Sequence, residues 1–256
     1  MSDTAPLTEL RLERLTWREI AEALDAGYTS VILACGAIEQ HGPHLPLFVD
    51  AEHAERLALE VANRLRGTLV APTIRIGHSP HHMAFAGTLS LSRPTLEAVY
   101  RDCCVSLAKH GFRKVLCFSA HGGNFAPLKA MQPGLEAAVA PNCRVFVFSD
   151  FDRFLETWRD VVEEHTGKGA AVGGHADVAE TSVLATMHPD LVRWDKLEPG
   201  LTGGLNSDVV QDALARGFDA VTPNGVLGDP RGANADLGRE CIAAVADMLA
   251  DYFRDV

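Results

Sequence analysis

Four apolar runs rich in β-branched residues punctuate the first part of the chain, at residues 30–38, 68–76, 114–119 and 144–148. Each gives way to a loop and then to a stretch with helical spacing of its apolar positions. After the first run, for example, Ala54, Leu57, Ala58, Val61 and Leu65 recur at that period across residues 51–65. Strands joined through helices pair in parallel, because a parallel crossover needs a dozen or more residues and a helix supplies them. Such sheets bury both faces, which is why the runs are continuously apolar rather than alternating. The expected fold is therefore α/β, with a mostly parallel central sheet and helices on both faces.

The flanking signals agree. Residues 16–26 read as an amphipathic helix. Pro94 suits the first turn of a helix running to about His110, where Gly111 ends it. Another helix is expected after His121-Gly122-Gly123-Asn124, running to about Val139. No linker, low-complexity run or repeat interrupts the chain, so residues 1–256 read as one domain with a core over about residues 15–250. Residues 150–235 are less regular, with glycines at 167, 169, 173, 174, 200, 203 and 204, and are expected to supply loops that wall a site.

The balance of charge narrows the partners. A formal net charge of −11 argues against nucleic acid or an anionic membrane surface. No stretch reaches the roughly 18 apolar residues of a membrane span, and the first 17 residues lack the apolar segment of a secretory leader. Six cysteines contain no C-x-x-C pair and sit mostly in apolar runs, which reads as buried free thiols in a cytoplasmic protein.

Three clusters carry chemistry. The first, Glu39-Gln40-His41-Gly42-Pro43-His44-Leu45-Pro46, ends the first strand, with Asp50 a few residues on. Glu39 and His41 lie two apart, so extended backbone points both side chains the same way. Carboxylate and imidazole donors gathered in this way suit zinc or manganese; Asp50 equally suits a helix N-cap. The second is His121-Gly122-Gly123-Asn124 at the end of the third strand, where the glycines admit close backbone approach. Ligand sites of open α/β sheets gather at strand carboxyl ends, so the two clusters are expected to meet. The third, Gly173-Gly174-His175-Ala176-Asp177-Val178-Ala179-Glu180-Thr181-Ser182, reads as a glycine loop entering a helix. Asp177 and Glu180 there fit either a site or a helix cap. A serine nucleophile is disfavoured, since no G-x-S-x-G elbow occurs.

Together these segments resemble the creatininase family, whose signature pairs a Glu-x-His-Gly-x-His-Leu-Pro segment and a following Asp with a His-Gly-Gly-Asn loop and a His-Ala-Gly-x-x-Glu-Thr-Ser segment. Phe85-Ala86-Gly87-Thr88 and Gly225-Val226-Leu227-Gly228-Asp229-Pro230 are further matches. The resemblance implies a three-layer sandwich and a hydrolase with two divalent ions, zinc foremost and manganese or iron as alternatives. It makes Asp50 a bridge, with Glu39 and His121 completing one metal site and His41 and Glu180 the other, and His175 the catalytic proton carrier. His44 would support a ligand or pack the loop. It also implies a homo-oligomer, a hexamer built as a trimer of dimers.

The substrate is expected to be a small nitrogen-rich molecule cleaved at a non-peptide C–N bond, a cyclic amide, amidine or formamide. Alternatives are a processing peptidase for a peptide-derived cofactor precursor, or a silent binding relative. Creatinine-cleaving members carry Tyr and Glu where Gly122 and Gly123 stand, and a Trp before the catalytic His that has no counterpart between residues 166 and 174. Trp158 is the nearest candidate lid. Candidate substrate contacts are His78, His82, Gly122, Gly123, Asn124, Trp158 and Asp177, with His81 in the same loop as His78 and His82.

Overall fold

The structure, a computed structural model, describes residues 7–203 and 207–256. Gly204 and the first six residues, part of the stretch read as lacking a leader, lie outside them. Helix α1 (Trp17–Asp25) starts at Thr16, whose hydroxyl and the Glu19 carboxylate cap each other's backbone N–H groups. Strand β1 (Ser30–Cys35) leads through a loop to α2 (Val49–Arg64) and β2 (Thr68–Val70). Helix α3 (Arg93–His110) has Ser92 as its cap, Pro94 in its first turn and Gly111 at its left-handed end. Then follow β3 (Lys114–Ser119), α4 (Phe125–Val139) and β4 (Arg144–Val147). Both β1 and β2 are shorter than their apolar runs. The chain leaves the ladder at Gly36, and Ile38 and Ile74, both half-buried, keep only single bridges, so the apolar runs extend past the paired residues.

The second half is more regular than the sequence suggests. Helix α5 (Phe151–Thr166) occupies a segment expected to be loop, between the Asp150 cap and Gly167 in the left-handed region. Its buried residues Phe154, Leu155, Trp158 and Val162 have helical spacing. Strand β5 (Val172–His175) pairs antiparallel with β6 (Leu227–Gly228), so His175 ends a strand rather than opening a glycine loop. Helices α6 (Val178–Met187), α7 (Ser207–Arg216) and α8 (Ala235–Arg254) complete the chain.

The main sheet has the order β2-β1-β3-β4, all parallel. Alternate residues of β1 and β3 enter two separate cores. Ile32, Ala34, Leu116 and Phe118 pack with α2, α5, α6 and α8. Val31, Leu33, Cys35, Val115 and Cys117 pack with α3 and α4. Helices therefore cover both faces, as expected, in three layers. Connections from β1 run to β2 on one side and then back across to β3 on the other, so the order reverses between β1 and β3. The crevice beyond their carboxyl ends is where such sheets bind ligands, and in register Cys35 lies opposite Ser119 there. Among the described residues no helix is long and apolar enough to cross a membrane. All six cysteines are free, five of them buried.

Candidate metal centre

The loop after β1 folds back on itself, with Glu39 N–H donating to the Leu47 carbonyl and His41 bridged to Leu45. This return delivers Asp50 to the same place as Glu39 and His41. Asp50 is the second residue of α2, and Phe48 occupies the cap position without a side-chain bond. Asp50 is thus not an N-cap: its carboxylate faces the two clusters. His121 arrives from the adjacent strand end and Glu180 from the first turn of α6. Glu39, His41, Asp50, His121 and Glu180 are all buried, at 0–4 % exposure, which leaves no water to carry their charge.

The two carboxylate oxygens of Asp50 face different partners. Oδ1 lies 3.0 Å from His41 Nε2, which is 3.7 Å from Glu180 Oε2. Oδ2 lies 3.2 Å from His121 Nδ1, which is equally close to Glu39 Oε1. Outer hydrogen bonds set the ring tautomers. His41 Nδ1 is 3.1 Å from the Glu39 carbonyl, and His121 Nε2 is 3.2 Å from the His78 carbonyl. A carbonyl only accepts, so each of those nitrogens carries a proton. The other nitrogen of each ring faces a carboxylate, so a proton or a cation must stand between them. Glu39 Oε1 and Oε2 and Asp50 Oδ2 are buried and receive no aligned hydrogen bond. The donors present therefore fit two cations sharing Asp50.

Charge tells the same story. Burial opposes a charge on His41, yet the Asp50 and Glu180 carboxylates override it and hold the ring at a pKa of about 10. Burial likewise opposes a charge on His121, and Glu39 and Asp50 raise it well above the ordinary imidazole range. Burial raises the Asp50 carboxyl, but the facing His41 and His121 outweigh it and hold Asp50 below the usual carboxylate range. Protons on His41 and His121 thus stand where divalent ions would displace them, which makes ion binding a proton-releasing step.

The third cluster divides its labour. Asp177 is buried and accepts four backbone N–H bonds, from Gly173, Gly174, Ala179 and Glu180, at 2.8–3.1 Å. It caps α6 and ties β5 to it; it is not a substrate contact. Glu180 is no cap. Its carboxylate accepts the Ala176 N–H and faces His41. Burial pushes its pKa up to about 8, against the opposing pull of His41. Ala176 is held in the left-handed region at φ 53, a strain of about 1–3 kcal/mol tolerated because both flanking residues are fixed. His175 lies against His41 with ring centroids 4.4 Å apart, and its Nδ1 is 3.8 Å from Glu39 Oε1. Burial, with His41 beside it, holds His175 well below the ordinary imidazole range.

A cavity of about 480 Å³ opens over these groups, lined by Glu39, His121 and His175 among others. Its walls test the remaining expectations. Gly122, Gly123 and His82 line it; His78, Asn124 and Trp158 do not. His78 supports the site instead, its carbonyl orienting His121 and its Nδ1 donating to the Leu91 carbonyl. Asn124 is fully buried and bonds His78 N–H, the Gly36 carbonyl and Ser119 Oγ, tying the two strand ends together. His44 is held by Thr181 Oγ1, which packs the loop against α6. At Gly123 a Cβ would lie 2.4 Å from His121 Nε2 and 2.6 Å from His81 Cε1. The His81 ring, stacked on His121, fills the space that a side chain there would need.

Trp158 is 2 % exposed, stacked on the buried His53 and edge-on to Phe154 within the core. It cannot close over a substrate. Trp158→Ala is expected to cost about 3–5 kcal/mol in stability, with the folded fraction keeping its metal and its KM. Denaturant unfolding with kinetics on the same preparation checks this, and a selective rise in KM would restore the lid.

Sequence reasoning passed over Gln40, whose side chain touches both His82 and His175. It also passed over Phe218, which packs on both of those rings at 4.0 and 4.9 Å. Lys129, Asp150 and Asp152 at the cavity mouth were not foreseen either. Gln40 stood inside the quoted motif; Phe218 carries no local signal.

The family model for creatininase, creatinine amidohydrolase, matches residues 13–253. The chain is 32% identical over 232 residues to the mycofactocin precursor peptide peptidase of Mycobacterium ulcerans (strain Agy99), covering 88% of this chain and 84% of that one. It is 29% identical over 196 residues to the creatinine amidohydrolase of Pseudomonas putida, covering 72% and 74%. A solved mutant creatininase of Zn-Zn type superimposes with a TM-score of 0.77 at 25% identity, over 97% of this chain and 98% of that one.

Proposed function

The chain belongs to the creatininase family, and on that premise we propose that it is a dinuclear metal hydrolase of an amide-type C–N bond. The observation that carries the reading is the placement of His41 Nε2 and His121 Nδ1 against opposite oxygens of Asp50. Glu39, His121 and Asp50 would hold one ion; His41, Glu180 and Asp50 the other. Zinc suits this mix of imidazole and carboxylate, with manganese or iron as alternatives. When bound, the pair of ions supplies a hydrolytic water that ionises near neutral pH and polarises the scissile carbonyl.

The chain's own residues do the rest. His175 Nε2 lies 2.8 Å from the Gln40 carbonyl and carries the proton there, so Nδ1 presents its lone pair beside Glu39. That atom can take a proton and return it to the departing nitrogen, which otherwise leaves as a very poor anion. The favoured substrate is a small cyclic amide, amidine or formamide. Creatinine itself is disfavoured, because Gly123 leaves no room for a glutamate and no tryptophan closes the cavity. A second reading, peptide processing, is favoured by the relation to the mycofactocin precursor peptidase and by a cavity mouth ringed with Lys129, Asp150 and Asp152. The free cysteines support a reducing, cytoplasmic setting. Assembly into a hexamer is carried by the family resemblance, and the exposed Trp17, Met83, Leu89 and Trp194 offer apolar surface for it.

The purified protein should contain about two divalent ions per chain, and strong chelation should abolish hydrolysis until metal is restored. Metal-loaded protein tested on creatinine, cyclic ureides, formamides and short peptides should favour a non-creatinine amide. Full activity with less than about a tenth of an ion per chain would sink the metal reading, and turnover of peptides alone would select the second.

A further inference from the structure

We propose that Gln40 is a positioning residue that sets two site histidines in opposite senses, making His82 a neutral N–H donor to the substrate's carbonyl oxygen and leaving His175 a lone pair. The donor role rests on the hydrolase reading above; the assignment of the tautomers does not.

The Gln40 amide is buried, at 5 % exposure. Its Oε1 accepts the Gly42 N–H at 2.8 Å, so its NH2 group faces the other way. There Nε2 has three neighbours: the Gly225 carbonyl at 3.1 Å, His82 Nδ1 at 2.9 Å and His175 Nε2 at 2.9 Å. Two hydrogens must be shared among them. The Gly225 carbonyl can only accept and takes one. His175 Nε2 already donates to the Gln40 carbonyl at 2.8 Å, so it has no lone pair to offer. The second hydrogen goes to His82 Nδ1, which must therefore be bare, and the proton of the neutral His82 ring sits on Nε2. That Nε2 is 3.2 Å from Glu39 Oε1 at the cavity wall, and Glu39 Oε1 receives no aligned hydrogen bond, so the N–H is not committed to it.

An independent feature protects the same amide. Gly225 has φ +78, and a Cβ there would lie 2.0 Å from Gln40 Oε1. The loop thus leaves room for the Gln40 side chain and presents its carbonyl to it. Phe218, packed against both imidazoles, prevents them from turning.

In hydrolysis the water gives a proton to His175 Nδ1 as its oxygen bonds to the carbonyl carbon, and the C=O π pair moves onto oxygen. An N–H aimed at that oxygen stabilises the charge without giving up its proton. When the pair returns, the C–N bond breaks and the nitrogen takes a proton from His175. A neutral donor and a neutral acceptor side by side serve the two ends of one scissile bond. Gln40 makes them different, although both are histidines.

The test uses metal-loaded wild type, Gln40→Met, Gly225→Ala and His82→Phe, each read by ions per chain, kcat and the 15N imidazole spectrum. Wild type should show His82 protonated on Nε2 and His175 with a bare Nδ1. His82→Phe keeps the ring packing on Phe218 and should lose about 10²–10³ in kcat, the usual effect of one oxyanion donor, while retaining its metal. Gln40→Met and Gly225→Ala should lose kcat in the same direction and scramble the His82 tautomer. Loss of metal in His82→Phe would make His82 a ligand and overturn the donor role. An Nδ1–H tautomer in wild type, or a tautomer unmoved by Gln40→Met, overturns the Gln40 assignment even in an active enzyme. A wild type with the expected tautomers and no amide hydrolysis overturns the donor role together with the hydrolase reading, so the two failures are told apart.

Discussion

Asp50→Ala should empty both metal sites at once and lower turnover by on the order of 10³-fold or more, since metal stabilisation of several kcal/mol is lost at about 1.4 kcal/mol per tenfold. The expectation follows from the division of its carboxylate, Oδ1 toward His41 and Oδ2 toward His121. Removing any other proposed ligand leaves one ion with most of its donors; removing Asp50 takes a donor from both and leaves two like charges without a shared anion. The variant should still fold, because the Asp50 side chain does not cap α2 and alanine keeps its helical backbone. It should also lower the pKa of His41, whose raised value depends on Asp50 more than on Glu180 or Glu39. Asp50→Asn, which keeps the shape and loses the charge, should fall between the two in metal content. Elemental analysis and circular dichroism on the three proteins decide the matter. Retention of two ions by Asp50→Ala, with near-normal turnover, would remove the bridge and with it the dinuclear reading.

The residues of this centre were legible because short-range rules cover them. Strand ends in a parallel sheet collect functional groups, and the two clusters sit at the ends of the adjacent strands β1 and β3. The ambiguity between site and cap was not resolvable from spacing: Asp177 and Glu180 are both acids at the start of α6, yet one is consumed by four backbone N–H groups and the other faces His41. Which carboxylate points where depends on the left-handed turn at Ala176, which no propensity foretells. Trp158 shows the opposite failure. Its neighbours Phe154, Leu155 and Val162 carry a helical period that assigns it to the core, but the glycines that follow drew the segment toward loop. Gln40 and Phe218 were invisible for another reason. Partners of the Gln40 amide group lie 42, 135 and 185 residues away, and only the closed fold brings β5 and the loop before β6 against the loop after β1.

His175→Ala and Glu180→Ala should separate proton transfer from metal binding, although the two residues lie in one segment. His175 touches the site through a single free nitrogen, Nδ1, and its other nitrogen is spent on the Gln40 carbonyl. It is not needed to complete either donor set around Asp50. His175→Ala should therefore keep about two ions per chain and an unchanged fold while losing about 10²–10⁴ in turnover, the contribution of a positioned general acid or base. The loss should be largest for substrates whose nitrogen leaves badly and smallest for activated analogues that depart without a proton. Glu180→Ala should instead lose metal along with activity, since its carboxylate faces the Asp50 Oδ1 side through His41. In the metal-free chain Glu180 is pushed up to about 8 by burial, so an ion held there must first displace its proton. Metal uptake at that site should accordingly weaken as pH falls, first as His41 takes up its proton at about 10 and further as Glu180 does so at about 8, and Glu180→Gln should remove only the second step. If His175→Ala loses metal as Glu180→Ala does, His175 is a ligand and the proton carrier lies elsewhere among the ring of histidines. If both variants keep their metal and full turnover, the segment serves only to join β5 to α6, and the centre must be rebuilt from Glu39, His41, Asp50 and His121 alone.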